Sequence, residues 1–404
     1  DTSTPGCGDS PWAVAIADSR GTTDMNTRPH GSAPTPSLPA PRIAYLDGLR
    51  GIAILLVIGF HYFSCFQAIY PYGSEWSEFP LFRWGFYGVH LFFAISGFVI
   101  TLTLERCGSL EEFAVRRFAR LWPTMLLCSV VSYLVLSALP SAWPQTLANF
   151  LPSLTFIDGQ VWYKLFPGLR AEWIDPAYWS LFVEIRFYLL AAVLWFSLPR
   201  RFATALFVLS TIAVGAYCAL LVAGREHPAQ LLQWVLFPKY LPWFVIGVSA
   251  RLAAQRRHAA AAAGIALAFV QIALLAAAND PQSSLSVAAI VVALVLGPLY
   301  SAREGRALGV RWLAAVGASS YSLYLLHQCA GLALISSIAA VTGVQGKAAL
   351  IIAVLVAALM IGLSLLVYRR WESPLNGVVT SAWQRLRRGE PAVVVAGRPS
   401  SPAA

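Results

Sequence analysis

Apolar residues run through the chain in about ten long blocks, and short polar segments that carry most of the charges separate them. A transmembrane helix needs about 20 mostly apolar residues, and most of these blocks have that length. The pattern therefore predicts an all-α, polytopic membrane protein with about ten transmembrane helices. We expect them near residues 44–66, 85–104, 119–139, 177–197, 203–223, 231–250, 259–278, 284–300, 313–338 and 348–368.

The two ends of the chain differ in composition from these blocks. Residues 1–42 are rich in Pro, Ser, Thr and Gly, and residues 373–404 are polar and basic, so we expect both to be disordered. Residues 43–372 would then form the membrane domain. Met25 could serve as a natural start, which leads to the hypothesis that residues 1–24 are an upstream extension.

The positive charges give an orientation in the membrane. Lys and Arg number 29 against 19 Asp and Glu, but they form short clusters between apolar blocks and no continuous basic stripe. Such clusters orient helices by the positive-inside rule and do not indicate nucleic-acid binding. If both termini are cytoplasmic, these clusters all fall on the cytoplasmic side of the membrane. We therefore predict that both termini are cytoplasmic. The six cysteines follow no metal-binding spacing, so no metal site is expected.

The stretch YLDGLRGIAILLVIGFH, residues 45–61, contains the first candidate functional residues. Asp47 and Arg50 lie near its start, and ten uncharged residues separate Arg50 from His61. Eleven residues make about three helical turns, so Arg50 and His61 would share a face about 16 Å apart. Ionisable side chains inside a membrane are costly and indicate function, although His61 could also be a packing residue.

Three further titratable residues fall at a similar predicted depth, in the outer half of the membrane. They are His90, Glu184 and His327, each from a different helix. A neutral imidazole beside a carboxylate can act as a general base, so the set predicts a reaction or binding centre with Glu184 helping His61. Taken singly, His90 could donate to a backbone carbonyl, and Glu184 could pair with Arg186.

On the cytoplasmic side, the string RRFARLWP places three arginines at the start of the third predicted helix. Arg117 and Arg120 lie on one helix face, as do Arg116 and Arg120. Guanidinium groups bind phosphate through two parallel hydrogen bonds, so this cluster and Arg50 favour an anionic ligand that enters from the cytoplasm. Ordinary anchoring at the membrane surface is the alternative.

The longest predicted outer loop spans residues about 140–176 and contains Trp143, Trp162 and Trp173. Such a loop could cover a site that opens on that side, or its tryptophans could anchor the protein at the interface. At its end, Asp175 and Pro176 are predicted to be the N-cap and first residue of the next helix.

Five strings occur in an order that resembles the acyltransferase-3 family of integral membrane acyltransferases. They are LDGLRGIAILLVIGFH, GVHLFFAISGFVI, RRFARLWP, YWSLFVEIRFY and SYSLYLLH, and they span residues 44 to about 370. The resemblance implies transfer of an acyl group, usually acetyl, from cytoplasmic acyl-CoA to a hydroxyl of a glycan such as a cell-surface or exported polysaccharide. It also implies a multi-pass protein of the bacterial cytoplasmic (inner) membrane.

The resemblance assigns roles to residues of this sequence. His61 would be catalytic, with Glu184 as the acidic residue of the motif WSLxxE, and Arg50, Arg117 and Arg120 would serve the acyl-CoA donor. Five more residues would support the site or the substrate: Asp47, His90, Trp179, Ser180 and His327. Two positions depart from the family pattern, since many relatives carry Asp at the place of His90 and Gln at the place of Arg186.

Two other functions stay open at this stage. The acceptor could be a small molecule, such as a macrolide or a lipo-oligosaccharide, in place of a polysaccharide. A proton-coupled secondary transporter would also use buried His and Glu. Transporters often contain repeated halves, and the sequence contains no second copy of the pattern DGLRG followed by a histidine.

Overall fold

The computed structural model describes residues 44–388, and within this range it contains helices, turns and loops but no β-strand. The fold is therefore all-α, as predicted. The predicted disorder of residues 1–42, and of residues 389–404 within the tail, concerns parts of the chain that lie outside the described residues.

Residues 44–388 form eighteen α-helices, α1 to α18 in chain order. The first nine are α1 (Ala44–Phe63), α2 (Pro80–Arg83), α3 (Gly88–Leu104), α4 (Leu110–Ala138), α5 (Phe150–Thr155), α6 (Gly159–Leu165), α7 (Trp179–Ser197), α8 (Phe202–Val222) and α9 (Glu226–Leu236). The others are α10 (Leu241–Ala254), α11 (His258–Ala277), α12 (Leu285–Tyr300), α13 (Ala302–Leu308), α14 (Arg311–Ala318), α15 (Ser320–Leu326), α16 (Cys329–Thr342), α17 (Leu350–Val367) and α18 (Ser373–Arg388).

The helices are long and apolar enough for a polytopic membrane protein. Within residues 44–388, eight helical segments could cross a bilayer, and two bent helix pairs raise the number to ten if each pair forms one span. The upper figure equals the number predicted from the apolar blocks. The bent pairs are α12 with α13 and α15 with α16.

The third spanning helix begins earlier than predicted. It starts at Leu110 and not near residue 119, because Ser109 caps it by accepting a hydrogen bond from the backbone N–H of Glu112 at 3.2 Å. The acidic side chains of Glu111 and Glu112 in its first turn favour this start. As a result, Arg117 lies well inside α4 and not at its end.

The carboxyl-terminal segment also differs from the prediction, which made it disordered from residue 373. The structure contains the helix α18 over Ser373–Arg388, which packs on the first part of α4. Its Trp383 donates to the carboxylate of Glu111 at 3.4 Å, and the preceding Trp371 donates to the carbonyl of Pro123 at 3.2 Å. The segment alternates apolar and polar positions at helical spacing, so packing of one face stabilises it.

The ninth predicted span, residues 313–338, is not one helix. It is divided into α14, α15 and α16, and α15 and α16 are bent by 54° relative to each other. The break falls at His327 and Gln328. This interruption defines the candidate site described below.

The helices α3 and α10 pack closely because glycines face each other at their crossing. A Cβ atom on Gly97 would lie 2.3 Å from the carbonyl oxygen of Phe244, and one on Gly247 would lie 1.9 Å from that of Ala94. Both distances are far below van der Waals contact, so a larger residue at either position would separate the helices. Small residues of this kind are typical of helix crossings in membranes.

Candidate active site

Two of the predicted site residues are in direct contact. Nδ1 of His61, near the end of α1, lies 2.9 Å from Nε2 of His327, although the two residues are 266 positions apart in the chain. His327 is fully buried, whereas His61 is partly exposed. The pair therefore joins a fully buried imidazole to one that is only partly buried.

The break between α15 and α16 leaves backbone groups without their helical partners, and side chains take their place. The hydroxyl of Tyr62 donates to the carbonyl of His327 at 2.7 Å, and that of Tyr178 donates to the carbonyl of Leu325 at 3.0 Å. The N–H of Cys329 donates to the carboxylate of Asp175 at 2.8 Å. Within a bilayer such groups have no water to bind, so these contacts make the break stable.

The hydrogen bonds of His327 determine which nitrogen of each imidazole carries a proton. Nδ1 of His327 lies 2.9 Å from the carbonyl oxygen of Tyr324, which can only accept, so this nitrogen is the donor. In a neutral imidazole the other nitrogen is then an acceptor. Nε2 of His327 therefore accepts from Nδ1–H of His61. The lone pair of His61 is left on its Nε2, which is the arrangement that a general base requires.

Aromatic residues surround the exposed side of His61. The ring of Phe66 is stacked 6.1 Å from it, and the ring of Trp143 contacts Phe66 edge-on at 5.4 Å. The hydroxyl of Tyr70 donates to the backbone carbonyl of His61 at 2.8 Å. Of the three tryptophans in the outer loop, Trp143 is thus the one that extends to the neighbourhood of His61.

A partly open cavity, with about 670 Å³ of empty space, lies between the helices α1, α3, α4, α7 and α15. Five of the other predicted site residues line it: Arg50, Arg117, Arg120, Ser180 and Glu184. Its polar lining also contains Ser96 and Tyr188, which were not predicted. His61 does not line it. Tyr324 lines it and also offers its backbone carbonyl to His327, so this residue connects the cavity to the histidines.

Glu184 lines the cavity and does not form a hydrogen bond to His61. Its carboxylate accepts hydrogen bonds from the hydroxyls of Ser96 and Tyr188, the second at 2.5 Å. The pairing of Glu184 with Arg186, which the sequence left open, does not form. Arg186 donates instead to the backbone carbonyls of Phe182 and Trp234.

The arginines of the cavity have different surroundings. Arg50 forms an ion pair with Asp47 at 3.0 Å, on the same helix. Arg117 lies between the rings of Phe113 and Tyr188, at 5.7 Å from each, and donates to the hydroxyl of Thr103 at 3.2 Å. Its buried Nε has no hydrogen-bond partner among the described residues. A buried guanidinium donor without a partner is available to an anionic ligand.

His90 lies apart from the histidine pair. It is buried, its Nδ1 has no partner among residues 44–388, and the ring of Trp243 contacts it edge-on at 4.7 Å. The prediction that four titratable residues at one depth form one centre is therefore met only by His61 and His327. Depth along the membrane normal is one coordinate of three, and it leaves lateral position undetermined.

Trp179 and Ser180 begin α7, and Ser180 lines the cavity next to Tyr324. Ser180 and Tyr324 share a hydrogen bond of 2.7 Å between their hydroxyls, and the ring of Trp179 lies 5.2 Å from that of Tyr240. The Tyr324 hydroxyl also donates to the carbonyl of Ala177 at 2.8 Å, which ties α15 to the start of α7.

Sequence reasoning missed several residues of the site. Tyr62, Tyr178 and Tyr324 hold the break and the histidine pair, but none was singled out from the sequence. Their positions gave a weak signal, since Tyr62 follows His61 and Tyr324 lies one helical turn before His327. Asp175 was predicted as a helix cap and is one, because its carboxylate accepts from the N–H of Ala177 at 2.9 Å.

An all-α fold of membrane-length helices thus encloses a hydrogen-bonded histidine pair and an arginine-lined cavity. The chain belongs to the acyltransferase-3 family, whose description is "Acyltransferase domain" and which it matches over residues 43–369. The family predicted from the five sequence strings is thereby confirmed. Among the part of the chain that the structure describes, no group of three or more His, Cys, Asp or Glu is arranged to hold a metal ion.

Characterised relatives agree with this family. The chain is 28% identical over 327 residues to the exopolysaccharide production protein ExoZ of Rhizobium meliloti. The aligned part covers 77% of this chain and 92% of that protein. It is 30% identical over 189 residues to the O-acetyltransferase OatA of Staphylococcus aureus. It is 32% identical over 158 residues to the peptidoglycan O-acetyltransferase OatA of Listeria monocytogenes.

The similarity to the two OatA proteins is partial. The aligned parts cover 42% and 36% of this chain but only 29% and 23% of the two relatives. No solved structure matches the chain.

Proposed function

We propose that this chain is a membrane-embedded O-acyltransferase that moves an acyl group, specifically acetyl, from cytoplasmic acyl-CoA to a hydroxyl of an exported or cell-surface polysaccharide. The observation that supports this proposal most directly is the hydrogen bond between His61 and His327, which leaves an unprotonated nitrogen on His61. The similarity to an exopolysaccharide production protein, an O-acetyltransferase and a peptidoglycan O-acetyltransferase supports a glycan acceptor and acetyl as the transferred group.

In this mechanism His61 acts as the general base. Its Nε2 takes the proton of the acceptor hydroxyl while that oxygen attacks the carbonyl carbon of the thioester. The tetrahedral intermediate then collapses, the carbon–sulfur bond breaks, and the proton passes from His61 to the thiolate of coenzyme A. His327 stabilises the positive charge on the His61 imidazolium, since its Nε2 accepts from His61 Nδ1 throughout.

The arginines of the cavity would bind the donor. Arg117 offers a buried Nε without a partner, and Arg120 and Arg50 line the same space. Arg50 and His61 lie eleven residues apart on the helix α1, and eleven residues at 1.5 Å each span about 16 Å. The phosphates of coenzyme A would therefore dock at the arginine end, and the pantetheine arm would extend towards Tyr324 and the histidines.

Glu184 has a different role in this proposal from the one expected from the sequence. It accepts hydrogen bonds from Ser96 and Tyr188 inside the cavity and not from His61. Its negative charge lies in the same cavity as the three arginines, so it offsets part of their mutual repulsion. We therefore propose that Glu184 organises the donor cavity and that His327 assists the base.

The test uses the full chain in lipid vesicles with acetyl-CoA and a polysaccharide acceptor. Release of the coenzyme A thiol and O-acetylation of the glycan, by mass spectrometry, should both depend on the protein. Replacing His61→Ala should abolish both while expression and membrane insertion stay unchanged. Near wild-type turnover of this variant would contradict the assignment of the base.

The same experiment separates the alternatives. A transporter would release no thiol from acetyl-CoA in any condition. An enzyme that acylates small molecules would release thiol only when a small hydroxyl acceptor is added to the vesicles, and the polysaccharide would not be O-acetylated. Mass spectrometry of surface glycans with and without the gene would then find no difference.

A further inference from the structure

Asp175 connects two parts of the chain, the segment before α7 and the start of α16. The proposed mechanism depends on their relative position. Asp175 is fully buried, at 0% exposure, and its two carboxylate oxygens accept from different elements. Oδ1 accepts from the N–H of Ala177 in the short 3₁₀ helix Pro176–Tyr178 that precedes α7, and Oδ2 accepts from the N–H of Cys329, the first residue of α16. A buried carboxylate is costly unless both oxygens find donors, and here two helix starts provide them.

Asp175 and Tyr178 bind the donor and the acceptor of one helical hydrogen bond that the break removes. In a continuous helix the N–H of Cys329 would donate to the carbonyl of Leu325, four residues earlier. Here the N–H donates to Asp175 at 2.8 Å, and the carbonyl accepts from Tyr178 at 3.0 Å. The short segment from Asp175 to Tyr178 therefore replaces that bond on both sides and holds the helix open.

The break in the helix frees the backbone carbonyl of Tyr324, to which the His327 side chain donates. In a continuous helix the carbonyl of Tyr324 would accept from the N–H of Gln328. With the helix broken, that carbonyl accepts from Nδ1 of His327 at 2.9 Å. This contact leaves Nε2 of His327 as the acceptor for His61.

We propose that Asp175 is a positioning residue for acyl transfer: by capping Cys329 it holds the break that fixes His327 and, through it, the tautomer and orientation of His61. This inference rests on the proposed function, since it assumes that His61 is the base. Asp175 touches neither imidazole, so its effect passes through the backbone of residues 324–329.

A carboxylate is required because both oxygens must accept. In Asp175→Asn one oxygen is replaced by an NH₂ group, which would face an N–H as a second donor. One of the two caps is therefore lost. A positioning defect of this kind reduces turnover by about 10- to 100-fold. The KM for acetyl-CoA should stay within about twofold, because Asp175 is not among the residues that line the donor cavity.

The experiment compares Asp175→Asn with Asp158→Asn in vesicles. Asp158 lies in the same outer loop and also caps a helix, since it accepts from the N–H of Gln160 at 2.9 Å, but Asp158 forms no hydrogen bond to residues 324–329. We expect kcat to fall only in Asp175→Asn and to recover in part in Asp175→Glu, which keeps both acceptor oxygens. Equal kcat in Asp175→Asn and the wild type would overturn the inference.

A second readout does not depend on turnover. Diethyl pyrocarbonate modifies unprotonated imidazole nitrogens, and mass spectrometry of the His61 peptide gives the rate of its modification. The rate should change several-fold in Asp175→Asn and remain at the wild-type value in Asp158→Asn. If Asp175→Asn fails to fold, Tyr178→Phe removes only the hydroxyl on Leu325 and should change the same rate in the same direction.

These results also separate the inference from the proposed function. An active His61→Ala variant would reject the base, yet a changed His61 modification rate in Asp175→Asn would still support the positioning contact. An inactive His61→Ala together with an unaffected Asp175→Asn would reject the inference alone.

Discussion

Replacing His327 tests whether the contact between the two imidazoles contributes to the reaction. In His327→Ala, Nδ1–H of His61 loses the acceptor that now lies 2.9 Å away. His61 is then free to move its proton to Nε2, which would remove the lone pair that the base needs. We expect His327→Ala to keep the donor cavity, since neither histidine lines it, and to lose turnover.

The size of the loss follows from the state of His61 during the reaction. When His61 becomes an imidazolium, its hydrogen bond to His327 has a charged donor, and such bonds contribute about 1.5–3 kcal/mol. Each 1.36 kcal/mol is about tenfold in rate, so kcat should fall by about 10- to 150-fold. The loss of the base itself costs about 100- to 10,000-fold, so His61→Ala should be the more severe variant.

Thiol release from acetyl-CoA in vesicles measures both variants. His327→Gln provides a side-chain oxygen that can accept from His61, so it should recover part of the activity. His258→Ala is a suitable control, because this exposed histidine contacts Tyr300 and not the site. Wild-type kcat in His327→Ala would refute the reasoning, and so would a larger loss in His327→Ala than in His61→Ala, which would make His327 the base.

Two further predictions address Tyr62 and the donor cavity. A Cβ on Gly331 would lie 1.9 Å from the Tyr62 hydroxyl that donates to His327, so Gly331→Ala should lower both kcat and the melting temperature. Gly362→Ala is the control and should change neither, because no atom lies within 4 Å of its added Cβ. Equal melting curves of the two variants would contradict this prediction. Arg117→Ala should raise the KM for acetyl-CoA by about 10- to 150-fold with little change in kcat, because a charge-assisted contact of about 1.5–3 kcal/mol is lost. Arg116→Ala, whose arginine pairs with Glu112 at 2.8 Å and does not line the cavity, should keep the wild-type KM, and an equal KM in both variants would reject the donor assignment.

The spanning helices could be predicted because insertion into a bilayer depends on local composition. Ten apolar blocks led to ten expected spans, and the structure contains eight such segments or ten with the bent pairs. The start of α4 was missed because Ser109 and the acidic first turn extend the helix beyond the apolar block. A hydropathy pattern responds to the membrane-buried part of a helix and not to its polar ends.

The break at His327 could not be predicted from its own segment. The residues around it, SYSLYLLHQCAG, contain no proline and read as one apolar helix. What opens the helix is Asp175, more than 150 residues earlier, together with Tyr178 and Tyr62. The sequence identified Asp175 only as the cap of its own helix, since its second acceptor oxygen binds a distant residue.

The residue that contacts His61 in the structure also differs from the predicted one, for a related reason. Glu184 and His327 were expected at similar depth, and nothing in the spacing decided which of them would face α1. The structure brings His327 to His61 and turns Glu184 towards Ser96 and Tyr188 in the cavity. A base supported by a neutral histidine, and not by a carboxylate, needs its proton positions set by hydrogen bonds to the backbone.

In the proposed mechanism, Tyr324 connects the donor cavity to the base. Its ring lines the cavity, its hydroxyl binds Ser180 and Ala177, and its carbonyl accepts from His327. A pantetheine arm that extends through the cavity towards His61 must therefore pass this side chain. Because the same residue sets the tautomer of His327, any displacement of its backbone by the donor would be transmitted to the base within two hydrogen bonds.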